Sequence, residues 1–126
     1  MSFESSLLTW LKNNLPLAGN RVYAVLAPQD VSTPYIVYTL ISAPRDYTHD
    51  GPSGIVEARY QFNLCAETYA GAKAMADQLR GTLSGFSGLF ESVTVFSAML
   101  DTELDSHEDN ADLYVIFCDY IISYKE

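Results

Sequence analysis

Residues 57–66, Glu57-Ala58-Arg59-Tyr60-Gln61-Phe62-Asn63-Leu64-Cys65-Ala66, decide the fold. Ala58, Tyr60, Phe62, Leu64 and Ala66 alternate with Glu57, Arg59, Gln61, Asn63 and Cys65. Successive strand side chains point to opposite faces, so this period of two predicts a half-buried strand. The period then changes. Thr68 is placed to accept the free amides of a helix start. From about Tyr69 to Leu83, Ala72, Met75, Ala76, Leu79 and Leu83 share one helical face, and Lys73, Asp77 and Arg80 stay wet. Gly71 and Gly81 weaken such a helix by about 1 kcal/mol each, so packing must supply what propensity does not. Gly85 to Gly88 ends it.

Upstream, Ser2 to about Asn14 reads as an amphipathic helix with Ser2 as N-cap, Glu4 in the positive first turn, and Phe3, Leu7, Leu11 and Leu15 at i, i+4 spacing. Burying those four side chains contributes roughly 6–12 kcal/mol before chain entropy is subtracted. Pro16 and Gly19-Asn20 stop it. Arg21 to Leu26 reads as a short strand, and Tyr35 to Ser42 as a stronger one whose near-continuous apolarity predicts that both faces are covered. An extended polar connection, Arg45 to Gly54, then leads into the alternating strand.

Downstream, Ser92 to Leu100 alternates again, with a register irregularity near Phe96 and Ser97. Asp101 to Asp112 carries six carboxylates and reads as an exposed, flexible hairpin loop. The last strand, Leu113 to Tyr124, has no polar face. The order α, β, β, β, α, β, β predicts an α+β fold, one domain over residues 1–126: a mostly antiparallel sheet of about five strands with two helices packed on one face. That arrangement leaves a Tyr-bearing face of the last strand exposed, and exposed apolar patches mark interfaces.

With 126 residues, 48% hydrophobic and 13% aromatic, the chain can build one real core. No apolar run approaches the roughly 20 residues of a membrane helix, and the opening Met-Ser-Phe-Glu-Ser-Ser lacks the basic and apolar regions of a signal peptide. A cytosolic protein is expected. The net charge is −9 and the seven Lys and Arg are scattered. Affinity for nucleic acid comes from neutralising phosphates, so direct or sequence-specific DNA binding is disfavoured. The same charge suits a conduit past which DNA moves, because screening confines the repulsion to roughly 8 Å.

No constellation of catalytic or cofactor-binding residues emerges. His49-Asp50 and His107-Glu108-Asp109 are short local clusters without the distributed ligands of a zinc site. The acidic segment lacks the DxDxDG pattern of a calcium loop. Asp119 or Glu57 could form half of a carboxylate pair, but an edge position or a cross-sheet partner is the ordinary reading. No GxSxG elbow or phosphate-binding glycine pattern is present, and Gly51-Pro52-Ser53-Gly54 is turn chemistry. Cys65 and Cys118 lack CxxC spacing and read as buried free thiols.

Taken in order, several short pieces resemble the bacteriophage tail completion, or head–tail joining, family. They are Asn20-Arg21-Val22-Tyr23, the Ala27-Pro28-Gln29 turn, Pro34-Tyr35-Ile36-Val37-Tyr38, the Arg45-Asp46-Tyr47-Thr48-His49-Asp50-Gly51-Pro52 connection, and Glu67-Thr68-Tyr69-Ala70 followed by Ala72-Lys73-Ala74. The resemblance implies a non-enzymatic virion subunit, assembled in the host bacterial cytoplasm and residing in the tail or neck. It further implies tail-terminator behaviour: a hexameric ring that caps the tail tube, contacts the tail tube protein and the head-closure or connector protein, and lets DNA pass. A neck component of similar size is the alternative, followed by a small α+β enzyme or ligand-binding domain using Asp119 or Tyr60. The acidic 101–112 segment matches no family motif and would face either the lumen or solvent. A closed ring needs two different complementary surfaces. The apolar last strand with its exposed Tyr-bearing face could supply such a pair. The connection, through Arg45, Asp46, Tyr47, Thr48, Asp50 and Gly51, and the final strand, through Tyr114, Tyr120 and Tyr124, are expected to contact neighbouring subunits or the tail tube.

Overall fold

The computed structural model describes residues 2–126. Helix α1 (Phe3–Asn14) begins where extended Ser2 turns its hydroxyl oxygen to accept the Ser5 amide at 3.2 Å. Helix α2 (Tyr69–Leu83) begins the same way, with Thr68 Oγ1 accepting the Gly71 amide at 3.0 Å. A Cβ on Gly71 would sit 3.0 Å from that oxygen, so the capping contact explains the glycine at this point. Both helices match the caps and apolar faces expected from the sequence.

The described residues form seven strand segments: β1 (Val22–Ala24), β2 (Tyr35–Ser42), β3 (Arg45–Thr48), β4 (Gly51–Ala66), β5 (Gly88–Phe90), β6 (Val93–Glu108) and β7 (Leu113–Lys125). They run β1-β2-β4-β7-β6-β5 across the sheet, with β3 on the outer stretch of β4. Among the described residues, only β1 and β2 pair in parallel. The expected α+β architecture and mostly antiparallel sheet are present, and the count exceeds five because β3 and β5 are too short to show a period.

β4 and β7 form the centre, paired from Ile55↔Lys125 to Ala66↔Tyr114. Their even-numbered residues, including Phe62, Leu64, Ile116 and Ile122, join Phe3, Leu7, Trp10 and Leu11 of α1 and Met75 and Leu79 of α2 in one cluster. The Phe3 ring stacks on Tyr124 with centroids 3.8 Å apart, and Trp10 stacks on Phe90 at 4.8 Å.

This register overturns the expected Tyr-bearing outer face. Tyr120 is 1% exposed and Tyr124 5%, both within the core, and Tyr114 is half-buried. β7 is apolar on both faces, so its pattern cannot say which one meets the helices, whereas Tyr60↔Tyr120 pairing fixes it.

A second correction concerns the acidic segment. It is not a loop: β6 continues to Glu108, and only residues 109–112 turn. Backbone pairing from Thr102↔Asp119 to Glu108↔Leu113 extends the hairpin well past Leu100. Two β-bulges, at Val95/Ser97 and Leu100/Thr102, kink β6, and the first is the irregularity expected near Phe96. β2 also differs from expectation, since Leu40 and Ile41 stay exposed. β1 covers only Ile36 to Tyr38.

Candidate assembly surfaces

The expected extended connection folds into a hairpin arm. β3 turns back on β4 through Thr48↔Gly51. Thr48 Oγ1 makes the turn self-sufficient, donating to the Gly51 carbonyl at 3.0 Å and accepting the Asp50 amide at 3.2 Å. Gly51 (φ +116) and Gly54 (φ +85) occupy backbone regions that side chains disfavour. Arg45 ties the root of the arm to the end of β7. Its guanidinium meets the Glu126 carboxylate at 2.7 Å and donates to the Ala43 carbonyl at 2.7 Å. That pair holds the Glu126 carboxyl below its usual range.

Arg45, Asp46, Tyr47, Thr48 and Asp50 are all exposed on this arm and Gly51 is half-buried, so the structure brings these expected contact residues together. Tyr47 is 69% exposed, and Leu40, Ile41 and Ile55 add exposed apolar surface on the neighbouring β2 and β4. Tyr120 and Tyr124, by contrast, have almost no surface to offer in the folded subunit. Leu40 and Ile41 sit in a run whose apolarity predicts that both faces are covered, and Ile55 lies between the connection and the alternating strand, so the sequence does not single out any of the three as exposed.

The β6–β7 hairpin is built differently. The second bulge turns Glu103 and Asp105 toward α2, where Lys73 Nζ lies 2.9 Å from Glu103 and 2.8 Å from Asp105. Arg80 reaches Glu103 at 3.0 Å and also pairs with Asp77, one turn away. The Tyr69 hydroxyl donates to Asp105 at 2.7 Å. The hydrogen bonds from Lys73 and Tyr69 hold the Asp105 carboxyl below the ordinary range. At the tip, His107 sits between Asp109 (2.9 Å) and Asp112 (3.1 Å), which favour the imidazolium and raise its pKa. The α2 cations were visible in the sequence, but only the bulge reveals which carboxylates they meet.

Groups weighed for chemistry do not converge. Tyr60 is 2% exposed in the core, while Asp119 lies on the other face of the sheet, 3.6 Å from Arg59. Among the described residues no cluster of His, Cys, Asp or Glu is arranged to hold a metal. Cys65 and Cys118 are free and buried, as expected. Burial, reinforced by Glu103, pushes the Cys118 thiol up to about 12. A thiol held protonated is a poor nucleophile.

Among curated proteins none matches the chain. Among solved structures, a chain from the "virion of native gene transfer agent (GTA) particle" has a similar fold: TM-score 0.71 and 16% identity, covering 99% of this chain and 96% of that one. That identity carries the fold alone. The family model described as tail completion protein gp17 matches residues 5–125, nearly the entire path from α1 through the arm to the end of β7. The chain therefore belongs to the tail completion protein gp17 family of phage structural proteins.

Proposed function

We propose that this chain is a non-enzymatic tail terminator subunit, a single domain whose copies close into a hexameric ring on the tail tube and join it to the head. The family match over 5–125 carries this reading. The subunit supports it with two unlike surfaces, as a closed ring requires. One is the arm, with exposed Tyr47 and the neighbouring Leu40, Ile41 and Ile55. The other is the part of the sheet face opposite the helices where exposed Met99 pairs with half-buried Ile121.

In this reading Arg45 and Gly51 shape the arm, while Asp46, Tyr47, Thr48 and Asp50 make its contacts to a neighbouring copy or the tail tube protein. Tyr114, half-buried near the hairpin tip, is the one member of the β7 tyrosine set that stays accessible enough to contribute. The opposite rim of the ring meets the head-closure or connector protein. DNA passes through an opening whose acidic lining would not hold it, and assembly takes place in the host cytoplasm.

Sedimentation of the purified chain, together with complementation of a phage lacking it, tests the proposal. Six-fold association and restored head–tail joining are expected. A strict monomer at high concentration, with joining that proceeds normally in its absence, would overturn it.

A further inference from the structure

A groove of about 370 Å³ crosses the sheet face away from the helices. Val37, Cys65 and Val115 line its floor and are 8%, 5% and 9% exposed, yet they stand outside the main core cluster. Val25 and Leu26 form its lip, 70% and 81% exposed. Val25 holds a φ of +67°, a left-handed backbone that is costly for a β-branched side chain. Strain of this kind persists only where surrounding structure enforces it and concentrates at binding sites. In the floor, the side-chain oxygen of Asn63 is buried and has no hydrogen-bond partner.

The rim is acidic. Glu108 lines this groove, and Asp30 and Glu67 line the adjoining hollow that shares Pro28, Val31 and Tyr35 with it. None of the three forms an ion pair among the described residues, unlike Glu103 and Asp105 on the other side of the same hairpin. The groove therefore combines an apolar floor, an unpaired acceptor and unpaired negative charge above them.

We propose that it binds an extended segment of another virion polypeptide in which apolar residues alternate with Lys or Arg. Alternate side chains of an extended chain point to opposite sides, so apolar ones enter the floor while cations reach the rim. A backbone or side-chain N–H carried in with them supplies Asn63. The arm of a second copy is a poor occupant of this end of the face, because its Asp46 and Asp50 would meet the unpaired carboxylates of the rim, so contacts between copies fall on the Met99 and Ile121 end instead. The identity of the partner as a virion protein rests on the function proposed above; the groove's preference for apolar-basic sequence does not.

Two measurements test this. Titrating the purified chain with a short alternating Leu–Lys peptide should shift the amide resonances of Val37, Asn63 and Val115. It should bind about tenfold or more tighter than oligolysine or an alternating Leu–Glu peptide. Leu26→Asp and Glu108→Lys, both at exposed sites, should keep the native thermal transition and weaken that binding about tenfold. Equal binding by oligolysine, or unchanged binding in both variants, overturns the preference.

In particles, a photo-cross-linking residue in place of Leu26 should capture an apolar-basic segment of a different virion polypeptide. Capture of a second copy, or no capture in particles that contain the chain, overturns the assignment of partner. Particles that lack the chain altogether overturn the virion role instead, and the peptide titration still decides the groove.

Discussion

Two hairpins extend from the sheet, and they treat solvent in opposite ways. The β3–β4 arm exposes apolar surface at Tyr47 and Ile55 and is tied back by the single Arg45–Glu126 pair. The β6–β7 hairpin carries far more charge, yet its inward carboxylates are matched by Lys73, Arg80 and Tyr69, and its tip is closed on His107. Charge density therefore does not mark the surface that is free for a partner. A paired carboxylate has already found its counter-charge, whereas an exposed tyrosine or isoleucine gains only when something covers it.

A change in the core beneath both hairpins should erase the contrast. Phe62 is fully buried and packs edge-on against Tyr120 with ring centroids 5.6 Å apart. Phe62→Ala should destabilise the fold by about 3–5 kcal/mol, measured by urea unfolding, with protection lost in the arm and the acidic hairpin together. A loss confined to one hairpin would show that they are not coupled through this core.

The contrast sharpens when the apolar surface beside the arm and the charged hairpin are altered one at a time. Ile41→Lys, at the residue bulged out between Leu40 and Ser42, should weaken self-association at least about tenfold, or ~1.4 kcal/mol. Stability of the isolated subunit should change by no more than about 0.5 kcal/mol. Sedimentation and thermal melting read the two effects separately. Glu103→Gln should do the reverse. Removing the carboxylate that Lys73 and Arg80 share should cost about 1 kcal/mol and flatten the dependence of stability on salt, without affecting association.

The smallest effects are pH effects, and the hairpin's root and tip should respond with opposite signs. Asp105 has a depressed pKa in the fold, so its contribution is present above the ordinary carboxylate range and is lost as pH falls through its folded value. His107 has a raised one, so its contribution is full below the ordinary histidine range and is lost as pH rises through the folded value. Amide exchange at the 109–112 turn, corrected for intrinsic rate, should quicken on that rise. Asp109→Asn should remove most of the response, and an unchanged profile in that variant would show that His107 does not hold the tip.

Where one sequence signal acted alone, the fold was legible. Ser2 and Thr68 capped the helices as read, and the alternation through Tyr60 and Phe62 predicted a strand with one buried face. Legibility failed where two signals competed. In Asp101 to Glu108 the alternation of Glu103, Asp105 and His107 with Thr102, Leu104 and Ser106 is itself strand-like, but charge density pointed to a loop. The cations that reverse that judgement lie 30 residues away, in the case of Lys73 and Glu103. In β7 the failure had another origin: with both faces apolar, only the partner strand sets the register. The expected arm residues lie together on one hairpin because they are contiguous in sequence. The groove floor, drawn from β2, β4 and β7, has no signature along the chain.

The paired bulges of β6 also bear on how distant relatives are to be matched. Val95 lies on the helix side, Ala98 after the first bulge, and Glu103 after the second, so inward positions pass from odd to even numbers and back to odd. An ungapped alignment that misses either offset would compare inward residues with outward ones in mid-strand, making a preserved core look like drift. A single-residue gap placed within β6 therefore carries structural meaning, and superposition should fix its position before any residue there is judged variable.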